Sequence, residues 1–300
     1  MSFAGMKHGR HETRELTPFG QQRSILRMKV VELYRYPVKS LRGHAVESAD
    51  IEAIGMAGDR RWMVVDKNGH FLTIRQIPAM TTIDVEHHGT GILLKHDRHG
   101  SHAVETPGPG GALRQVEVWK EIVAARPSDP AAGAYLSAIL GRPVDLVFFD
   151  DPRNRPVDPE FSQPGDYVGF ADGFPLLVAT TGSLDHLNSH LDKPIEMARF
   201  RPNIVLDAAG VWPEDNWKTI RIGSVELRIA KPCARCVITT RDPQSGEQPD
   251  PREPLRTLGK LHRSAKGGII FGQNAIPNNA GTISVGDTVE IVEAGASNLA

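Results

Sequence analysis

Apolar residues recur at alternate positions in short runs along most of this chain, and the runs end at Gly, Pro and Asn. Val225, Leu227 and Ile229 lie within an alternating stretch, Thr219 to Ala230, that predicts a strand. Met28 to Leu33, Ile204 to Leu206 and Val289 to Val292 predict three more, and several short strands fill Ile83 to Val118. Pro175 to Ala179 and Asp145 to Phe149 are apolar throughout and read as buried strands. Asn68-Gly69, between two alternating segments in Gly58 to Thr73, predicts a hairpin with a type I′ turn. The run Thr106 to Gly111 has neither nucleotide-binding spacing nor a following helix and reads as a loop, as does the Pro-rich Asp150 to Asp166.

Helical spacing is confined to short stretches. Tyr135, Leu136, Ile139 and Leu140 form one face of a helix over Ala131 to Leu140, with Ser128 or Asp129 as cap, Pro130 in its first turn and Gly141 as its stop. Leu184, Leu187 and Leu191 supply the stripe of a second, capped by Ser183. The expected class is mainly β with a few helices, α+β.

Composition narrows the setting. With 300 residues, 40% hydrophobic and 24% charged, the chain makes a soluble globular protein of one large or two intimate domains. A formal net charge of −1 gives no general pull toward nucleic acid or membrane. Neither a membrane-spanning apolar run nor a secretory leader is visible, and two cysteines suit a reducing compartment, so a cytoplasmic protein is expected. Residues 1–27 lack periodicity and predict a mobile extension. His87, His88, His96, His99 and His102 match no metal-ligand spacing and read as solvated surface.

The chemistry concentrates in Lys231 to Pro243, which holds both cysteines, Cys233 and Cys236, with Arg235 between them. A guanidinium beside a thiol favours the thiolate, which attacks electrophiles and binds soft metals. The pair is expected where a strand turns, with Pro232 as breaker and β-prone Val237 to Thr240 after it. Its spacing makes a poor disulfide, zinc would need a second ligand pair, and a thioredoxin-like dithiol should open a helix. Two half-buried structural cysteines, or one thiolate on a metal otherwise held by a bound cofactor, both stay open.

Other stretches offer partners for an anion. Lys39 and Ser40 share a turn-prone loop after Pro37, a solvated loop unless ammonium and hydroxyl meet on a phosphate. Arg60 precedes a strand that can aim it, and Arg201 and Asn203 alternate around Pro202 and face one side if extended. Thr180, Thr181 and Ser183 form a turn into a helix N-terminus, which makes an anion cradle or merely a cap. Asn274 lies in a glycine-rich loop, Phe271 to Asn274, within reach of the same place.

In order, Tyr-Pro-Val-Lys39-Ser40, Gly-Asp59-Arg60, the Thr180 to Ser183 turn, Phe-Arg201-Pro202-Asn203, Cys233-Ala-Arg-Cys236-Val-Ile-Thr-Thr and Gly281-Thr-Ile-Ser-Val-Gly-Asp287 resemble the MOSC family. The likeness is to the branch of the mitochondrial amidoxime-reducing component and the bacterial YcbX-type proteins. It implies a MOSC fold of closely packed β-barrel-like units, with an N-terminal barrel region over 28–145 and the MOSC domain over 146–294. It also implies a molybdenum cofactor ligated by Cys236, the catalytic cysteine, with the molybdopterin held by Lys39, Ser40, Arg60, Arg201, Asn203, Arg235 and the Thr180 to Ser183 turn; Asn274 joins this expected set. The implied activity is reduction of small N-hydroxylated compounds such as hydroxylamines, amidoximes and N-hydroxylated bases. Some YcbX-type members carry a [2Fe–2S] domain, but two cysteines cannot supply the ligands of such a cluster, so electrons are expected from a separate ferredoxin- or flavin-type protein. The competing expectation is a non-enzymatic protein that carries sulfur as a persulfide or binds molybdopterin and hands it on.

Overall fold

The structure, a computed structural model, describes residues 28–300. The extension expected over 1–27 lies outside the described residues. Eighteen strands and three α-helices among the described residues confirm the mainly β class. The largest sheet has eight strands, in the order Val289–Ala294, Trp217–Ile222, Val225–Ala234, Ile270–Pro277, Leu176–Thr180, Ile204–Leu206, Val30–Arg35 and His44–Ala45. Its one parallel pair joins Leu176–Thr180 to Ile204–Leu206; the others are antiparallel. Ser48–Glu52 pairs with Gly281–Ser284 and Gly55–Met56 in a small second sheet. Ala49, Ile51 and Ile283 of that sheet share a core with Val178, Ile220 and Leu227 of the large one.

A four-stranded sheet runs Trp62–Val65, Asp145–Phe148, Glu121–Pro127 and Arg114–Val118, beside a three-stranded meander, Asp84–His88, Gly91–His96 and Gly100–Val104. The helix Pro130–Leu140, α1, seats Ala132, Leu136 and Leu140 in the core they share with Ile92 and Leu94. Asp129 caps it by accepting from the Ala132 N–H at 3.0 Å, and Gly141 closes it with φ 67°. Among the described residues no helix is long and apolar enough to cross a membrane.

Residues 28–145 and 146–294, expected as two regions, exchange strands. Val30–Arg35 extends the large sheet by pairing Leu33 with Ile204, whereas Asp145–Phe148 extends the other by pairing Leu146 with Val64.

Local chemistry overrides several expected turns. At Asp66 to Gly69 only the glycine has positive φ (88°), so the turn is not type I′. The Asp66 carboxylate accepts from the Asn68 N–H at 2.8 Å and the His70 N–H at 3.0 Å, and the expected second strand shrinks to a bridge between Val65 and Phe71. Pro232 does not break its strand; Val225–Ala234 continues through it with a register shift that absorbs the missing N–H. Val237–Thr240 is a 3₁₀ turn rather than extended, because the Thr239 and Thr240 hydroxyls donate back to the Cys236 and Val237 carbonyls at 3.0 and 2.8 Å. Asn274 lies in the strand Ile270–Pro277, not in a loop; Gly272, at φ 75°, bends that strand without ending it.

Candidate active site

A cleft of about 370 Å³ opens where the two halves meet, and most of the anticipated residues line it: Lys39, Ser40, Arg60, Arg201, Asn203, Arg235, Cys236 and Asn274. The Thr180 to Ser183 turn does not. Thr180, not Ser183, caps the helix Thr181–Asn188, α2, by accepting from the Ser183 N–H at 3.2 Å. The Thr180 and Ser183 hydroxyls both donate to the buried Glu214 carboxylate, at 2.8 and 2.7 Å. The apparent anion cradle therefore holds the protein's own acid, whose pKa burial raises.

Cys236 follows the end of the strand Val225–Ala234, and its sulfur accepts a hydrogen bond at 3.3 Å from Arg75, a residue not anticipated. Arg235 turns to the other cysteine, donating to Cys233 Sγ at 2.8 Å and to the Phe200 carbonyl at 2.7 Å. Its Nε is buried without a partner. Arg60 is held between carboxylate and amide, donating to Asp59 at 2.7 Å and to Asn203 Oδ1 at 2.9 Å. Asn203 is also tied to the scaffold: its oxygen accepts from the Leu177 N–H, and its amide nitrogen donates to the Tyr34 carbonyl, each at 3.2 Å. It aims Arg60, and one N–H of its amide stays unused at the cleft.

Burial and charge compete across this cluster. Burial weakens the Arg60 cation, but Asp59 and Tyr36 outweigh it and hold the group above its ordinary range. Arg201 goes the other way, brought down to about 10 chiefly by burial. The Tyr36 ring centroid lies 4.3 Å from one guanidinium and 4.2 Å from the other; its buried hydroxyl has no partner and burial pushes it up to about 12. Lys39 is lowered by burial and donates to the Phe170 carbonyl at 2.9 Å and to Asp172. Burial would raise Asp172, yet Lys39, and after it Arg75 and Arg60, hold it far below the usual carboxylate range.

Two features set the whole cleft apart. Its lining carries six basic side chains, Lys39, Arg60, Arg75, Arg201, Lys231 and Arg235, against one carboxylate, Asp172. Of the five non-glycine residues with positive φ among the described residues, Ser40, Arg60, Trp119 and Arg201 all line it. Such backbone costs about 1–3 kcal/mol per residue and persists where the surroundings fix a side chain for use.

A model of the MOSC N-terminal beta barrel domain matches residues 27–143, and one of the MOSC domain matches residues 166–290. Human mitochondrial amidoxime-reducing component 1 is 33% identical over 284 residues, covering 88% of this chain and 82% of that one. The chain belongs to the MOSC family. Bovine mitochondrial amidoxime reducing component 2 is 29% identical over 288 residues, covering 90% and 85% of the two chains. The crystal structure of the Bacillus subtilis YUAD protein aligns with a TM-score of 0.40 at 11% identity, over 88% of this chain and 94% of that one. In this MOSC chain both matched segments build the cleft. Lys39, Ser40, Arg60, Arg75 and Trp119 come from the first; Asp172, Arg201, Asn203, Arg235, Cys236 and Asn274 come from the second.

Proposed function

We propose that the cleft holds a molybdenum cofactor through Cys236 and that the protein reduces N-hydroxylated compounds. The observation that carries this reading is the cysteine pair Cys233 and Cys236, both partly exposed in a cleft with six basic side chains and one acid; the MOSC resemblance assigns Cys236 of the two. Among the described residues no three His, Cys, Asp or Glu side chains converge as a metal site, so a metal on Cys236 would draw its other ligands from an organic group. A soft thiolate suits a sulfur-ligated transition metal, and buried cations with open donors suit a phosphate.

The residues fit such a group. Lys39, Arg60 and Arg201 would neutralise its anionic part, Ser40 would add a hydroxyl, and Asn203 would keep Arg60 pointed inward. The unpartnered Arg235 Nε and Tyr36 hydroxyl are donors already desolvated and in want of an acceptor. When bound, the group supplies a two-electron redox centre able to take oxygen from nitrogen. The overall change is R–NHOH with two electrons and two protons to R–NH₂ and water. Those electrons come, in this reading, from a separate ferredoxin- or flavin-type protein in the cytoplasm.

The relatives' printed names, amidoxime-reducing components, support the same substrate class. Elemental analysis and turnover test the proposal together. Protein made in a cofactor-competent host should carry about one molybdenum per chain and convert benzamidoxime to benzamidine with a reduced viologen dye, but not with NADH alone. Cys236→Ser should lose both metal and turnover. Metal-free protein bearing a persulfide would point instead to a sulfur carrier, and stoichiometric zinc would overturn both readings.

A further inference from the structure

Arg75 and Trp119 lie in the cleft beyond the residues given a role above. Trp119 occupies the turn between the strands Arg114–Val118 and Glu121–Pro127 at φ 59°, a conformation that a bulky residue adopts only at a cost. Glycine or asparagine would relieve that strain, and the turn itself makes no demand for an indole. Trp119 is 36% exposed, and the Arg75 guanidinium lies 4.8 Å from its ring centroid. Phe71 packs against the indole at 5.1 Å and fixes its tilt. Among the described residues, Cys236 Sγ is the one hydrogen-bond partner of the Arg75 side chain. The remaining donors of that guanidinium stay available in the cleft, next to the sulfur where the chemistry is assigned.

We propose that Arg75 and Trp119 form a substrate clamp: the indole takes one face of a planar, conjugated N-hydroxylated group, and the guanidinium donates to its oxygen and turns it toward Cys236. The inference rests on the reductase reading and narrows its substrate class. A flat amidoxime or N-hydroxylated heterocycle presents a π-face and an oxygen in one plane, matching an indole and a planar donor fork. An aliphatic hydroxylamine has a tetrahedral nitrogen and no face to offer. The pair would thus select planar substrates.

The test compares benzamidoxime with N-octylhydroxylamine on molybdenum-loaded protein. In Trp119→Leu, kcat/KM for benzamidoxime should fall about tenfold to a hundredfold, mostly through KM, the scale of losing one aromatic stacking partner. N-octylhydroxylamine should stay within about twofold. Arg75→Lys keeps the charge but loses the fork, so it should not restore benzamidoxime turnover. Molybdenum content should match the wild type in both variants. Equal losses on both substrates, or lost molybdenum, would reduce the pair to a structural or cofactor-holding role and overturn the clamp. Calorimetric binding of benzamidoxime without reductant gives a readout independent of turnover. If the wild type reduced neither substrate, the reductase reading would fail, while Trp119-dependent binding would still sustain the clamp and Trp119-independent binding would end it. Trp119→Phe serves where the leucine variant does not fold.

Discussion

At the scale of single residues, two acids, Asp172 and Glu214, should respond to pH in opposite directions. Asp172 is paired with Lys39, whose side chain is only 5% exposed, and sits far below the ordinary carboxylate range. A depressed folded-state pKa contributes stability above the unfolded value, near 4, and that contribution disappears as pH falls below it. Asp172→Asn should therefore cost stability at pH 7 and progressively less below about pH 4. Because the Asp172 side chain is 67% exposed, we expect a loss of about 1–2 kcal/mol rather than that of a fully buried pair. Denaturant melts at pH 7 and pH 3 measure the difference; an equal loss at both would contradict it. Glu214 is the reverse case, since burial raises its pKa. The folded state binds that proton more tightly, so stability falls as pH rises from about 4 through the raised folded value. A glutamine can serve the Thr180 and Ser183 hydroxyls without the charge, and Glu214→Gln should raise Tm at pH 7 with little change at pH 4. Calorimetry showing a lower Tm at pH 7 would mean that α2 requires the carboxylate charge at its N-terminus.

At the scale of elements, the strand Ile270–Pro277 depends on a glycine. Gly272 has φ 75°, and a Cβ there would meet the Val178 carbonyl oxygen at 2.7 Å. Gly272→Ala should cost about 2–4 kcal/mol by combining left-handed strain with a backbone clash, read as a lower denaturant midpoint. An unchanged midpoint would mean that the pairing with Leu176–Thr180 is more pliable than it looks. Elements specified by neighbouring residues were readable in advance: Asp129, Pro130 and Gly141 mark α1 because cap, first turn and stop act within a few positions. The Lys39, Arg60, Arg201 and Cys236 motifs likewise stand out as residue types near breaks. What the chain order hides is long-range supply. Arg75 reaches Cys236 across 161 positions, and Asp172 reaches Lys39 across 133. The turn at Thr180 looked open for the same reason, since the carboxylate that fills it comes from a separate 3₁₀ turn, Pro213–Asn216. Cys236 to Thr240 misled differently: β-prone side chains curl into a tight turn when their hydroxyls find carbonyls three residues back.

At the scale of the molecule, the exchange of strands makes the two halves one folding unit. Without residues 28–145, the strand Ile204–Leu206 would lose its partner Val30–Arg35, and Gly281–Ser284 would lose Ser48–Glu52. The core around Ile220 and Leu227 would then be open where Leu33, Ala49, Ile51 and Met56 now cover it. Without residues 146–300, Trp62–Val65 and Glu121–Pro127 would lose part or all of the strand Asp145–Phe148 that lies between them. Exposed ladders and apolar faces of that length favour aggregation over a cooperative fold. Neither fragment expressed alone should give a sigmoidal thermal transition by circular dichroism, whereas the two expressed together should associate and recover one. A cooperative melt from residues 146–300 alone would refute this interdependence. The same division separates the cleft's cations, with Lys39, Arg60 and Arg75 on one fragment and Arg201, Lys231 and Arg235 on the other. Retention of an anionic cofactor should therefore appear only in the reassembled pair, because neither half alone gathers the charge that such a group requires.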